Sequence, residues 1–152
     1  LSWSMIELLA RPEVNTSAIN AYSEGVGLAH QQKYDEAIAK FNFAVAEKPD
    51  YGKAYYQRGF ANFDKNDISA AIKDFEKTSK LKNQAQIFIE TPYRNNQLLD
   101  DLKKTLNETT YLCVASELTL DSEYIKTLQI KDWKRLETDL HKKPAIFILQ
   151  GF

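Results

Sequence analysis

Residues 18–51 read AINAYSEGVGLAHQQKYDEAIAKFNFAVAEKPDY, and residues 52–85 read GKAYYQRGFANFDKNDISAAIKDFEKTSKLKNQA. Set one above the other, they repeat at a spacing of 34 residues. Tyr22 returns as Tyr56, Gly25 as Gly59, Ala37-Ile38 as Ala71-Ile72 and Phe41 as Phe75. A fixed period of this length marks a stack of similar helical hairpins. Glycine inside a helix costs about 1 kcal/mol against alanine, a cost that close approach of a second helix offsets. Gly25 and Gly59 are therefore expected at such crossings, with Ala37 and Ala71 as the small partners on the second helix of each hairpin. Phe41 and Phe75 follow four residues on, one turn further along the same face. Pro49 stops the second helix of the first unit. Asp67 is placed to cap the second helix of the second unit.

Gly25, Tyr34-Asp35-Glu36-Ala37-Ile38, Phe41, Ala44 and Pro49 resemble the tetratricopeptide repeat family, and the unit length matches. The resemblance covers residues 18–85. The second unit departs from it: Thr78 stands where the family has a small apolar residue and Lys82 where it usually has proline. In the first unit, Ala21 and Glu24 replace bulky apolar residues. The resemblance implies a concave groove lined by the first helix of each unit. By position those residues are Ile19, Tyr22, Val26 and Ala29, then Lys53, Tyr56, Phe60 and Phe63. Such a groove holds a peptide or a partner helix, or is filled by the chain's own segments. The family's clamp for a terminal carboxylate uses Lys, Asn and Arg here; only Lys53 remains, so that specificity is not expected.

Two units leave apolar ends that need covering. Ser2-Trp3-Ser4-Met5-Ile6-Glu7-Leu8-Leu9-Ala10 reads as an apolar helix, with Trp3, Ile6 and Leu9 packing on the first unit. The carboxy-terminal half then covers the second. The alternative is a homodimer formed through an exposed repeat end.

The pattern changes after Asn83. Gln86-Ile87-Phe88-Ile89-Glu90 is a short β-rich run. Pro92 opens a helical stretch with Leu98, Leu99, Leu102 and Leu106 on one face. Thr110–Thr119 reads as a strand, and Glu123–Thr127 as a third strand or a helix start. Ile130, Trp133, Leu136 and Leu140 predict a helix over 130–140. Ala145-Ile146-Phe147-Ile148-Leu149 reads as a strand buried on both faces. The fold class expected is α+β: an all-α part (residues 1–83) of a helix and two tetratricopeptide-like hairpins, then a small α/β sheet domain, β-α-β-β-α-β (residues 84–152). No Gly/Ser/Pro linker separates them, which suits tightly packed domains or an abrupt fusion of two pieces.

Phe88-Ile89-Glu90-Thr91-Pro92-Tyr93-Arg94, Glu117-Leu118-Thr119, Glu123 and the closing strand resemble the carboxy-terminal lobe of the tetrapyrrole-methylase superfamily, in the branch of ribosomal-RNA ribose methyltransferases. The resemblance spans residues 85–151 and favours a strand at Glu123–Thr127. It implies that Glu90, Arg94, Glu117, Thr119 and Glu123 lie near a cleft for S-adenosylmethionine. The glycine-rich lobe that completes such a cleft is missing, so these residues are expected to support the fold. S-adenosylmethionine enters only if a partner chain, or sequence outside these residues, supplies that lobe.

Charge and composition narrow the remaining classes. The net charge is −1. Basic and acidic residues number 11 and 11 up to Asn83, and 9 and 10 beyond it. Neither half offers the cationic excess that nucleic acid requires. No apolar run reaches the roughly 20 residues that span a bilayer, and residues 1–10 lack the basic start of a secretory signal. The single cysteine, Cys113, reads as a buried, inert thiol in an apolar run, which fits a cytoplasmic setting. His30 and His141 fall in different halves, and no Cys/His spacing suits zinc. His141 with Lys142 and Lys143 is expected at a helix end, and Asp100-Asp101 with Lys103-Lys104 on a solvated helix face. Asn107-Glu108-Thr109 fits a glycosylation acceptor, a tripeptide common by chance. The expectation is a non-enzymatic interaction module without cofactor or metal, whose partner is a protein or peptide.

Overall fold

The computed structural model describes residues 15–152. The expected helix over residues 2–10 lies outside them. Among the described residues four helices come first: α1 (Thr16–His30), α2 (Tyr34–Glu47), α3 (Gly52–Asp64) and α4 (Ile68–Lys82). They form two antiparallel hairpins, α1 with α2 and α3 with α4, and α2 packs on α3. Capping follows the sequence. The Asn15 side chain accepts from the Ala18 N–H, and the Asp67 side chain accepts from the Ala70 N–H.

The hairpin seams differ from expectation in one respect. A Cβ added to Gly25 would stand 2.7 Å from Cε1 of Phe41, and one added to Gly59 would stand 2.9 Å from Cε1 of Phe75. Each glycine thus makes room for the ring one turn beyond the alanine, because a flat ring laid across the opposing helix needs the space that alanine leaves free. Ala37 and Ala71 are buried in the same seams.

The second unit's departures are absorbed locally. Thr78 is buried, and its hydroxyl donates to the Asp74 carbonyl at 2.8 Å, so the polar atom is satisfied within its own helix. Where proline would stop the helix, Asn83 does so in the left-handed conformation (φ 49°), its N–H bonded to the Ser79 carbonyl.

The rest comprises β1 (Gln86–Ile89), α5 (Asn95–Thr105), β2 (Tyr111–Ser116), β3 (Tyr124–Gln129), the single turn α6 (Ile130–Trp133) and β4 (Ala145–Gln150). The four strands form one antiparallel sheet in the order β1-β4-β2-β3. This is an α+β fold, four helices followed by a small sheet with helices. The inner face packs Leu112, Val114, Phe147 and Leu149 against Leu98, Leu99, Leu102, Ile130 and Trp133. Trp133 is fully buried, and its indole N–H donates to the Leu112 carbonyl at 2.8 Å.

Helix α4 is common to both parts. Ile72 belongs to the sheet's core cluster. The Glu76 carboxylate is buried and accepts from the Asn107 N–H (2.9 Å), the Asn107 side-chain amide (2.8 Å) and the Thr110 hydroxyl. The Ser79 hydroxyl accepts from the Gly151 N–H at 3.0 Å. The nitrogen that a glycan would occupy on Asn107 is therefore engaged by Glu76, although the residue itself is exposed.

Several local expectations are corrected. The helix over 130–140 stops after one turn at Trp133. Beyond it the chain is fastened across α5 instead: Lys103 donates to the Leu136 carbonyl, and the Leu140 N–H donates to Asn96. Leu140 is still buried, but from a non-helical strap. His141 consequently has no helix end to sit on; its ring lies edge-on to Tyr93, with centroids 6.1 Å apart. Strand β4 is buried on one face only, since Ile146 and Ile148 on the other are half-buried. Cys113 is half-buried on that outer face, across from Ile148. No ion pair joins Asp100 or Asp101 to Lys103 or Lys104 among the described residues; Asp101 accepts from Gln97.

Candidate functional site

One face of α3 carries Lys53, Tyr56, Phe60 and Phe63 at helical spacing. Together they make one wall of an open cavity of about 740 Å³. Tyr56, Phe60 and Phe63 remain exposed although apolar. A chain of edge-to-face rings runs through this wall. Tyr56 and Phe60 lie 4.9 Å apart, Phe60 and Phe75 5.2 Å, and Phe75 and Phe88 5.2 Å, so the ladder begins on α3, crosses α4 and ends on β1. Such pairs are offset in the geometry that aromatic quadrupoles favour.

The opposite wall is strand β1. Every residue from Gln84 to Glu90 lines the cavity. Successive strand side chains point to opposite faces, so a wall that includes all of them is the strand's edge, not either face. The groove is therefore bounded by a helix on one side and by the open edge of a sheet on the other. Of the eight groove residues expected from the sequence, Tyr22, Lys53, Tyr56, Phe60 and Phe63 meet here. Ile19, Val26 and Ala29 do not: Val26 and Ala29 pack against the Ala37, Phe41 and Ala61 cluster, and Ile19 is exposed outside the cavity. Sequence reasoning missed the β1 wall, Phe75, Thr78, Lys82 and Leu98. The alternation in Gln86-Ile87-Phe88-Ile89 announced a strand, but nothing local announced that it lies across from α3.

Charge in the groove is uneven. Lys53 and Lys82 line it, and Lys82 runs alongside Gly52, where an added Cβ would meet its stem at 3.1 Å. Neither lysine has an ion-pair partner among the described residues. Glu90, at the other end of β1, is paired with Arg94 at 3.7 Å. Outside the cavity lining, on another face of α3, Arg58 makes a two-pronged bond to buried Asp74 (2.9 and 2.7 Å) and a third to Asn42 (2.8 Å). The hydrogen bond to Asp74 holds the Arg58 guanidinium above its ordinary pKa. Burial holds the Tyr51 phenol up, with Tyr22 beside it.

The residues shared with the methylase pattern gather at the far end of the sheet, where each has a local partner. The Glu90 carboxylate accepts from the Thr91 N–H. Glu117 lies 3.9 Å from Lys143. Glu123 accepts from the Thr119 N–H at 2.8 Å, closing a loop in which Glu117 and Thr119 both have left-handed backbones (φ 51° and 67°). No cluster of His, Cys, Asp and Glu suited to a metal ion occurs among the described residues, and no helix among them is long and apolar enough to cross a membrane.

No protein-family model matches the chain. It is similar to a DnaJ homolog. That protein is the DnaJ homolog subfamily C member 7 homolog of Dictyostelium discoideum, 26% identical over 140 residues, which are 91% of this chain and 23% of that relative. The chain thus spans less than a quarter of the relative's length. This likeness and the four-helix region fit a tetratricopeptide-like protein. They lend no support to the methylase resemblance of residues 85–151.

Proposed function

We propose that this chain is a non-catalytic protein-interaction module that holds a peptide or partner helix in the groove between α3 and β1, without a cofactor. The observation that carries this reading is the stripe Tyr56, Phe60 and Phe63, which stays exposed along an open groove. Exposed apolar surface gathered in a concavity marks a binding site. The likeness to a DnaJ homolog supports a protein partner. Selection of a random-peptide display library on the immobilised chain tests it. Related sequences should be enriched, and the Phe60→Glu variant should lose them while keeping its helical circular dichroism. Enrichment of no common pattern, or equal enrichment by Phe60→Glu, overturns the proposal. Calorimetric titration with S-adenosylmethionine should give no binding heat, and micromolar affinity would contradict the cofactor-free reading.

A further inference from the structure

Resting on that reading, we infer that the groove takes an extended peptide rather than a helix, and that this peptide pairs with the free edge of β1 as a fifth strand, with an acidic residue at its end beside Gln86. The first reason is that β1 is an edge strand whose outer side has no partner among the described residues. It bonds to β4 alone, and no other backbone bond reaches residues 86–89 among the described residues. In an antiparallel edge strand, alternate residues aim N–H and C=O outward, a template for one more strand.

The second reason is that the two edges of the sheet are treated differently. Proteins protect edges with inward-pointing charge, proline or a bulge. The β3 edge has such a charge: Lys126 pairs across from Val114 on the inner face, its ammonium 5.9 Å from the Tyr124 ring centroid. Gln86-Ile87-Phe88-Ile89 has no charge and no proline, and its register with β4 is unbroken. Ile87 and Ile89 are 64% and 72% exposed on the outer face. An edge left open beside an aromatic groove fits a strand that is supplied from outside.

The third reason fixes the chemistry of the occupant. An added strand would turn alternate side chains towards Tyr56, Phe60 and Phe63, and the others into line with Ile87 and Ile89. Apolar residues suit the first set. At the Gln86 end, Lys53 and Lys82 line the groove without carboxylate partners among the described residues, while at the other end Glu90 is already paired with Arg94. A carboxylate beside Lys53 and Lys82 supplies the missing counter-charge.

The test uses the chain with acetylated, amidated hexapeptides that begin or end with Asp and alternate Val, Ile or Phe with Thr, read by calorimetry and amide NMR. At least one orientation should bind, with shifts at residues 86–89. N-methylation of alternate amides, in the register that faces β1, should weaken it by about tenfold, as expected for lost ladder bonds. Lys53→Glu or Lys82→Glu should weaken it roughly threefold to fivefold, and replacing the peptide's Asp by Lys should restore binding to the variant that carries both substitutions. If a helix-stabilised amphipathic peptide binds the groove and no extended peptide does, this inference is overturned while the interaction-module reading stands. Binding indifferent to N-methylation also overturns it. If neither peptide class binds and the display selection is empty, both fall.

Discussion

Helices α2 and α4 occupy equivalent places in the two hairpins, yet they are used differently. In α2 only Ala37, Phe41 and Ala44 are buried, the face turned to its neighbours in the helical stack. In α4 the equivalents Ala71, Phe75 and Thr78 are buried, and so are Ile72, Asp74, Glu76 and Ser79. Three of the additional residues are where the two units diverge in sequence, while Ile72 repeats Ile38 and is buried only because the sheet covers it. Asn42 becomes Glu76, which anchors the turn before β2; Val45 becomes Ser79, which holds Gly151. The comparison teaches that the second unit is a repeat remade as an interface. One face keeps the hairpin pattern, and the other has the polar groups that a docked sheet requires. Buried alanines dominate the first hairpin, whereas the sheet core is built from Leu, Ile, Phe and Trp. The helical part accordingly draws stability from what covers α4.

Truncating the equivalent rings is the strongest way to break this comparison. Phe41→Ala and Phe75→Ala should each cost about 3–5 kcal/mol. Only Phe75→Ala should also disturb β1, through the lost contact with Phe88, and denaturant unfolding with amide NMR would show whether it does. Glu76→Ala comes next. It leaves three donors without their acceptor in or near the core and should cost about 2–3 kcal/mol, whereas Asn42→Ala at the matching position should cost under about 1 kcal/mol. Equal losses would refute the idea of a remade face.

Glycines sharpen the contrast within one helix. Gly25→Ala drives a methyl into the Phe41 ring and should destabilise by roughly 1–2 kcal/mol even after its helix-propensity gain. Gly27→Ala meets nothing within 4 Å and should stabilise by up to about 1 kcal/mol. The smallest effect is electrostatic. The hydrogen bond from Asn96, with that from the His141 N–H, holds exposed Asp139 below the usual carboxylate pKa. A lowered native pKa stabilises above the unfolded value and loses that contribution as pH falls through the native one. The melting temperature of the native chain should therefore exceed that of Asp139→Asn near neutrality, and the gap should close below about pH 4.

The hairpins were legible in the sequence because their determinants are local and recur: glycine, alanine and phenylalanine at fixed offsets, and Asp67 at a helix start. Their pairing was less so. Alanine as the partner of glycine is a rule of size, while the structure uses a rule of shape, a ring seated where no Cβ stands. The helix expected over 130–140 failed because spacing of three and four records burial, and a strap pinned by Asn96 and Lys103 buries Leu140 as well. Half the groove could be read, since Lys53, Tyr56, Phe60 and Phe63 share a helix face. The other half depends on β1 coming alongside, which no local pattern encodes.

Strand β4 lies between β1 and β2, although it comes last of the four in the sequence. During synthesis, β1 must wait for roughly 60 further residues before its partner exists, on the order of several seconds at ordinary elongation rates. Through that interval Ile87, Phe88 and Ile89 have no ladder and the cover of α4 is incomplete. The nascent chain is then most exposed to chaperones and to premature association, and the finished sheet closes in one late step.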